Sequence, residues 1–463
     1  ESFTLSATAS TAAMTVTPSG VTPSALTDTA NTITTGSGAD TITGTTHEDN
    51  LSGGSGNDVI DGKGAPTGAT DTLTGGAGND SITGGSGADS ISDGAGNDTV
   101  VAGDGIDTIT VGTGNDSIDG GAGNDTITGG ENVGTSDTIA GGAGTDTLTL
   151  TLASVGQIPT ISGVENIYST FSTSTFLDAA NITDISTLRV EAGSTGAAAQ
   201  VKNLPTGATV TVTDDATLGG TAGNITTVTV DSVASATTTL KIDDNNNAAT
   251  AAASSLSTLT VTDVATLNIT NTGGSSSNVL DHQITGNLVL DDTDTTALTM
   301  TSSAYGSLDF VANTITNSSN LASWAVTAAS YGDITIDTLA DAEKVQSLTF
   351  TASGESADIN IGAIGGTTAS TALQTVSMTA TSGGTIDVAA ISGNGSNMDS
   401  VTYSATGTNS TVTPTGAITT TNANINSVTI AADDRGTVTA TSGDLTVGSG
   451  VVSAIDVDAT NRG

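Results

Sequence analysis

Aspartate is the residue of this chain whose spacing could do chemistry. It recurs at Asp40, Asp49, Asp58, Asp71, Asp80, Asp89, Asp98, Asp107, Asp116, Asp125, Asp137 and Asp146. The steps are nine residues, except 13 before Asp71 and 12 before Asp137. Two residues after each aspartate stands an aliphatic: Ile42, Leu51, Ile60, Leu73, Ile82, Ile91, Val100, Ile109, Ile118, Ile127, Ile139 and Leu148. All twelve copies keep both features. A carboxylate is a hard oxygen ligand and suits Ca²⁺, which takes six to eight oxygens. Glycines precede each aspartate, as in GGSGNDVID (53–61) and GGAGNDTIT (120–128). They let the chain turn sharply at positive φ and leave backbone carbonyls free to converge.

Such loops need short strands to hold them. The aliphatic points inward, and its Thr or Ser neighbours face solvent. Two nonapeptides complete a turn, so each copy stacks on the second one along. Twelve copies then make about six turns, roughly 28 Å at about 4.7 Å per strand. An ion would sit between consecutive loops on one side. An end cap is expected in 158–171 (IPTISGVENIYSTF), because the last turn of a stacked array otherwise exposes its aliphatics.

The tandem pattern is G-G-x-G-x-D-x-U-x. It resembles the RTX family of secreted bacterial proteins, whose nonapeptides bind calcium. The resemblance covers about a quarter of the chain. It implies a parallel β-roll over 36–149 with several bound Ca²⁺. It also implies ligands from the aspartate and from the carbonyls of the second and fourth positions. These are Gly36, Gly38 and Asp40; Gly54, Gly56 and Asp58; Gly76, Gly78 and Asp80; Gly85, Gly87 and Asp89; and Gly94, Gly96 and Asp98. The series continues with Gly103, Gly105 and Asp107; Gly112, Gly114 and Asp116; Gly121, Gly123 and Asp125; and Gly142, Gly144 and Asp146. Three copies are irregular. Asp49 follows GTTHE, and the loops before Asp71 and Asp137 carry insertions (KGAPTGAT and ENVGTS). Their aspartates are candidate ligands, with solvated loop carboxylates as the alternative.

The whole chain carries 48 acidic residues against 7 basic ones, a net charge of -41. Phosphate binding needs the opposite sign, which argues against a nucleic-acid partner. An anionic bilayer would be repelled as well. The charge opposes compaction unless cations neutralise it. Aromatics are 2% of the residues, so small β-branched side chains in thin layers are expected rather than a thick core. There is no cysteine, and no apolar run approaches the roughly 20 residues of a membrane span. The chain begins at Glu1 and is read as processed or trimmed.

Four segments are expected: an N-terminal strand segment (1–35), the roll (36–149), the cap (150–171) and a Thr/Ala-rich β region (172–463). The first carries strand-like runs at Phe3–Leu5 and Met14–Val16. The last shows period-2 runs such as LTVTD (259–263), LTFTA (348–352), VSMTA (376–380) and VTYSA (401–405), which predict strands. Their spacing follows no strict repeat. The fold class expected is all-β: a calcium-binding parallel β-roll followed by an irregular β-solenoid or β-sandwich modules. A helical turn is expected at Leu339–Val345. Acidic pairs at Asp214–Asp215, Asp243–Asp244, Asp291–Asp292 and Asp433–Asp434 read as turn carboxylates or as further calcium ligands.

No enzyme chemistry is expected. His47 and His282 are far apart in sequence and neither sits in a zinc-protease motif. Nor is there a nucleophile elbow in a strand-turn-helix context. Calcium repeats joined to Thr/Ala-rich β segments, few lysines and no cysteine resemble surface-layer proteins of Gram-negative bacteria. That resemblance implies an extracellular location on the cell surface, a homo-oligomeric lattice as the partner, and anchoring to lipopolysaccharide or another surface component. The expected mechanism couples ion binding to folding. The chain is secreted unfolded and folds where calcium reaches about 10⁻⁴ to 10⁻³ M. A calcium-dependent adhesin or filament subunit and a non-catalytic fragment of an RTX enzyme are the alternatives.

Overall fold

The computed structural model describes residues 4–8, 10–16, 31–63, 70–152, 159–172, 175–192, 198–213, 227–243, 255–272, 283–290, 295–303, 307–316, 320–339, 344–364, 372–393, 398–414, 418–420, 425–433, 435–439, 445–447 and 455–460. These residues form two compact units, 1–189 and 190–463. In both, every described strand pair is parallel. The described residues hold one short helix, a 3₁₀ turn at Ala179–Asn181 capped by the Asp178 side chain.

In the first unit the nonapeptides wind into two facing walls. One wall stacks the strands Asn31–Thr34, Asp49–Ser55, Thr72–Ala77, Ser90–Ala95, Thr108–Thr110, Thr126–Gly130 and Thr147–Leu152. The other stacks Thr41–Thr43, Val59–Asp61, Ser81–Ser86, Thr99–Asp104, Ser117–Ala122 and Thr138–Ala143. Each copy therefore lies on the second one along. Alternation sets the inward face: Leu73, Ile91, Ile109, Ile127 and Leu148 form one buried column, and Ile60, Ile82, Val100, Ile118 and Ile139 the other. Burying each such side chain stabilises the fold by about 1.5–3 kcal/mol.

The array extends beyond the nonapeptides at both ends. Thr4–Ser6 pairs with Asn31–Thr34, and Thr15–Val16 with Thr41–Thr43. At the other end Thr160–Ser162 and Asn166–Phe171 add two more rungs in register. The segment expected as a cap thus continues the winding, because its Ile161, Ile167 and Phe171 keep the inward alternation. The Arg189 guanidinium lies over the Tyr168 ring, 5.6 Å from its centroid.

The second unit is also a two-walled parallel solenoid. One wall stacks Ala297–Ser303, Ser323–Ala329, Ser347–Ser353, Thr375–Thr381 and Met398–Thr406 in unbroken register. The other stacks Asp333–Leu339, Asp358–Ile364, Thr385–Gly393 and Thr411–Pro414. Of the two architectures expected here, the solenoid is the one present, since β-sandwiches are built from antiparallel sheets. Three inward columns fill the first wall: Leu298, Trp324, Leu348, Val376 and Val401; Met300, Val326, Phe350, Met378 and Tyr403; and Ser302, Ala328, Ala352, Ala380 and Ala405. Trp324 meets Phe350 edge-on at 5.6 Å between centroids. Leu339 ends a strand rather than opening a helical turn; residues 340–343 lie outside the described set.

Candidate metal centre

The aspartates of the roll form two ladders, one at each edge where the walls meet. Every rung is built alike: the backbone N–H of one aspartate donates to Oδ1 of the aspartate one turn later. In the first ladder Asp40 donates to Asp58 (2.6 Å), Asp58 to Asp80 (2.8 Å), Asp80 to Asp98 (2.7 Å), Asp98 to Asp116 (2.9 Å) and Asp116 to Asp137 (2.7 Å). In the second, Asp49 donates to Asp71 (2.8 Å), Asp71 to Asp89 (3.0 Å), Asp89 to Asp107 (2.7 Å), Asp107 to Asp125 (2.8 Å) and Asp125 to Asp146 (2.8 Å). All twelve aspartates are buried.

The second carboxylate oxygen decides what the ladders can hold. In Asp40, Asp58, Asp71, Asp80, Asp89, Asp98, Asp107, Asp116, Asp125 and Asp146, Oδ2 is buried and accepts no hydrogen bond. A buried anionic oxygen without a partner is costly, and a bound cation offsets that cost. Asp49 and Asp137 differ. Asp49 Oδ2 accepts from Thr45 N (2.6 Å) and Thr45 Oγ1 (3.0 Å), and Asp137 Oδ2 accepts from Gly134 N (2.5 Å). These two irregular loops supply a protein donor where the regular ones leave an oxygen for an ion. Asp71, the third irregular copy, keeps its oxygen free like the regular set.

The glycines make this geometry possible. From Gly54 onward the second- and fourth-position glycines take positive φ, with Gly112 the exception, and Gly36 and Gly38 do not take it. At Gly76 (φ 116°) a Cβ would stand 2.0 Å from the Gly54 carbonyl oxygen one turn earlier. At Gly120, the first position, a Cβ would stand 2.7 Å from Asp125 Oδ2. That glycine keeps the space beside the carboxylate open. Second-position carbonyls also serve the ladder: Gly36 accepts from Ser55 N at 2.8 Å and Gly94 from Thr113 N at 2.9 Å. A carbonyl has two lone pairs, so this use leaves one for a metal.

Electrostatics agree with the geometry. Burial pushes the carboxyls of Asp71 up to about 7, and those of Asp80, Asp107 and Asp125 up to about 6, against their backbone hydrogen bonds. Neighbouring carboxylates raise them further. Asp58, Asp89, Asp98, Asp116 and Asp146 are raised for the same leading reason. Without a counter-charge, the folded roll resists ionising its own ligands.

The RTX calcium-binding nonapeptide repeat matches the chain in four copies, over residues 27–62, 67–100, 101–135 and 134–150. The roll is an array of RTX repeats. No curated protein matches it. RTX repeats bind Ca²⁺ in multiple sites. The residues present fit that ion: each regular repeat offers a buried, partnerless carboxylate oxygen beside glycine carbonyls in a gap kept clear of side chains. When bound, calcium supplies positive charge that replaces the missing donors. The repeat aspartates hold it, and Oδ1 keeps the backbone of the preceding turn in place.

Sequence reading passed over several parts of these RTX loops. Asn57 Oδ1 accepts from Asn79 N, Asn79 from Asn97 N and Asn97 from Asn115 N, a third, exposed ladder. Its signal was the Asn that precedes the repeat aspartate in GND. Glu165 Oε2 accepts from Asp146 N at 2.8 Å and closes the second ladder. Asp93, buried with a partnerless Oδ2, occupies a first position where a glycine is the rule. Of the acidic pairs after the roll, Asp243 and Asp433 end strands, whereas Asp214, Asp215, Asp244, Asp291, Asp292 and Asp434 lie outside the described residues, as does His282.

Proposed function

We propose that this calcium-binding RTX protein, of a type commonly secreted, is a structural subunit that assembles with copies of itself into a calcium-dependent layer on a bacterial cell surface. The observation that carries the reading is the pair of carboxylate ladders. Ten repeat oxygens are buried without a donor, so the folded roll depends on divalent cations. A chain of net charge -41 also needs divalent ions to bring copies of itself together. The long Thr/Ala solenoid supports the reading as well, because stacked strands present an extended wall of small polar side chains of the sort that repeated contacts use. The role proposed is non-catalytic, with lipopolysaccharide or another surface component as anchor. No helix among the described residues is long and apolar enough to cross a membrane.

The test is electron microscopy of the purified protein with calcium and after chelation. Ordered sheets that dissolve on chelation and return with calcium are the expected result. Fibres would favour a filament subunit. Monomers at all calcium levels, or sheets indifferent to chelator, would overturn the proposal.

A further inference from the structure

Asp93 stands at the first position of its nonapeptide, where the other eight regular copies carry Gly, Ala, Val or Thr. It ends the inward-facing part of the strand Ser90–Ala95, with an exposed fraction of 0%. Its Oδ1 accepts from two backbone donors, Gly94 N and Gly112 N, both at 2.6 Å. These bonds tie the carboxylate to its own turn and to the next one. Its Oδ2 accepts nothing. Asp98 and Asp116, one turn apart on the first ladder, are 2% exposed and likewise have partnerless Oδ2 atoms. Ligand oxygens of the three residues lie within 4.8 Å of one another.

We propose that Asp93, Asp98 and Asp116 together hold one Ca²⁺, in a three-carboxylate site that is the tightest of the roll. Elsewhere the first-position residue gives no charge, and the regular loop pairs ladder carboxylates with carbonyls. Here a third carboxylate enters the same space. A buried anion that replaces glycine is a cost unless a cation uses it. The two hydrogen bonds to Oδ1 fix its direction, so its ordering entropy is met before the ion arrives. Calcium affinity in oxygen sites rises with ligand charge and rigidity, and this rung gains both. The site lies in the middle of the roll, with rungs on either side. It fills first as calcium rises and gives the neighbouring turns a folded edge on which to stack. The assignment does not depend on whether the protein forms a layer.

Calcium titration of the full chain by calorimetry, starting from chelator-stripped protein, tests the site. Wild type is expected to show a tight class of about one ion, about tenfold or more stronger than the remaining sites, as one added carboxylate tunes oxygen sites. Asp93→Gly restores the repeat glycine and should abolish that class while the weaker sites remain. Circular dichroism in millimolar calcium checks that the variant folds. Asp93→Asn keeps an acceptor for Gly94 N and Gly112 N but removes the charge; it decides the matter if Asp93→Gly does not fold, and should also lose the tight class. Asp98→Asn and Asp116→Asn should each weaken the same class at least tenfold. A titration of Asp93→Gly that superimposes on wild type, or a tight class that survives in Asp93→Asn, would sink the assignment and leave Asp93 a buried bystander.

Discussion

The two units use one backbone plan and differ in what fills it. Both stack parallel strands into facing walls. In the roll a strand such as Ser81–Ser86 gives its wall one large aliphatic, and the turn is closed by glycine and a buried aspartate; only the closing strand Thr147–Leu152, past the last repeat aspartate, buries three leucines among the wall strands described. In the second unit a strand such as Ser323–Ala329 buries three consecutive inward side chains: Trp324, Val326 and Ala328. The roll therefore replaces apolar burial with carboxylates that lack donors, and its stability is handed to an outside ion. The solenoid of 190–463 holds itself by contact between side chains. Thin layers are affordable only where something else supplies the missing cohesion.

Chelation should separate the two most sharply. At a calcium concentration tenfold above Kd each site contributes about 1.4 kcal/mol, and several such sites act together on one roll. Hydrogen exchange is expected to lose its protection over 36–149 in chelator and to keep it over 297–406. Equal loss in both units would break the comparison. Next in size is Trp324→Ala, which removes a fully buried ring and should cost about 3–5 kcal/mol in chemical denaturation. That cost should be the same with and without calcium, whereas a calcium-dependent value would mean the units share their stability.

Acid should act on the roll in the opposite sense to ordinary carboxylate chemistry. Asp71, Asp80, Asp107 and Asp125 have folded values of about 7, 6, 6 and 6, above the unfolded 3.8. The folded calcium-free roll thus binds more protons than the unfolded chain between pH 3.8 and about 7, so its stability falls as pH rises through that window. Circular dichroism of the stripped protein should show roll structure returning as pH is lowered from 8 towards 5, by about tenfold in folded population for each 1.4 kcal/mol gained. A stripped protein that unfolds further on acidification contradicts this account.

The smallest effect sharpens the comparison within the roll itself. Asp125→Asn should remove a calcium ligand and weaken binding by about tenfold, since Asp125 Oδ2 has no other partner. Asp49→Asn should change calcium affinity by no more than about twofold, because Thr45 already occupies that oxygen. Calorimetry on the two variants would show comparable losses if the protein donor makes no difference.

Much of the roll was legible because its period is written into the chain. Aspartate at every ninth residue, with an aliphatic two places on, was enough to place Ile91 beneath Ile109 and Asp98 beneath Asp116. In the second unit the strands were legible but their stacking was not. LTFTA and VSMTA announced themselves by alternation and lie in Ser347–Ser353 and Thr375–Thr381. Yet Ser323, Ser347, Thr375 and Ser400 stack at unequal intervals of 24 to 28 residues. Loop length is free in a solenoid so long as the walls keep register, and this freedom hides the repeat. The candidate site was legible in its aspartates and not in its exceptions. Whether Asp137 Oδ2 meets an ion or Gly134 N depends on how ENVGTS folds locally, which no spacing rule encodes. Asp93 carried no signal along the chain, because its approach to Asp98 and Asp116 exists only in three dimensions.

The ladder bonds all run one way, from a backbone N–H to a carboxylate on the following turn, and this gives the roll a grammar with unlike beginnings and endings. Opening a ladder requires only a donor, which almost any residue has: Met14 N serves Asp40 at 2.6 Å, and the Asn31 side chain serves Asp49 at 2.7 Å. Ending one requires a terminator. One ladder ends on Glu165, a longer acid in the place of the next aspartate. The other ends where Asp137 turns both its N–H and its Oδ2 back onto Gly134. Turns can therefore be prepended to such a roll with almost any sequence, whereas each appended turn must bring its own full stop.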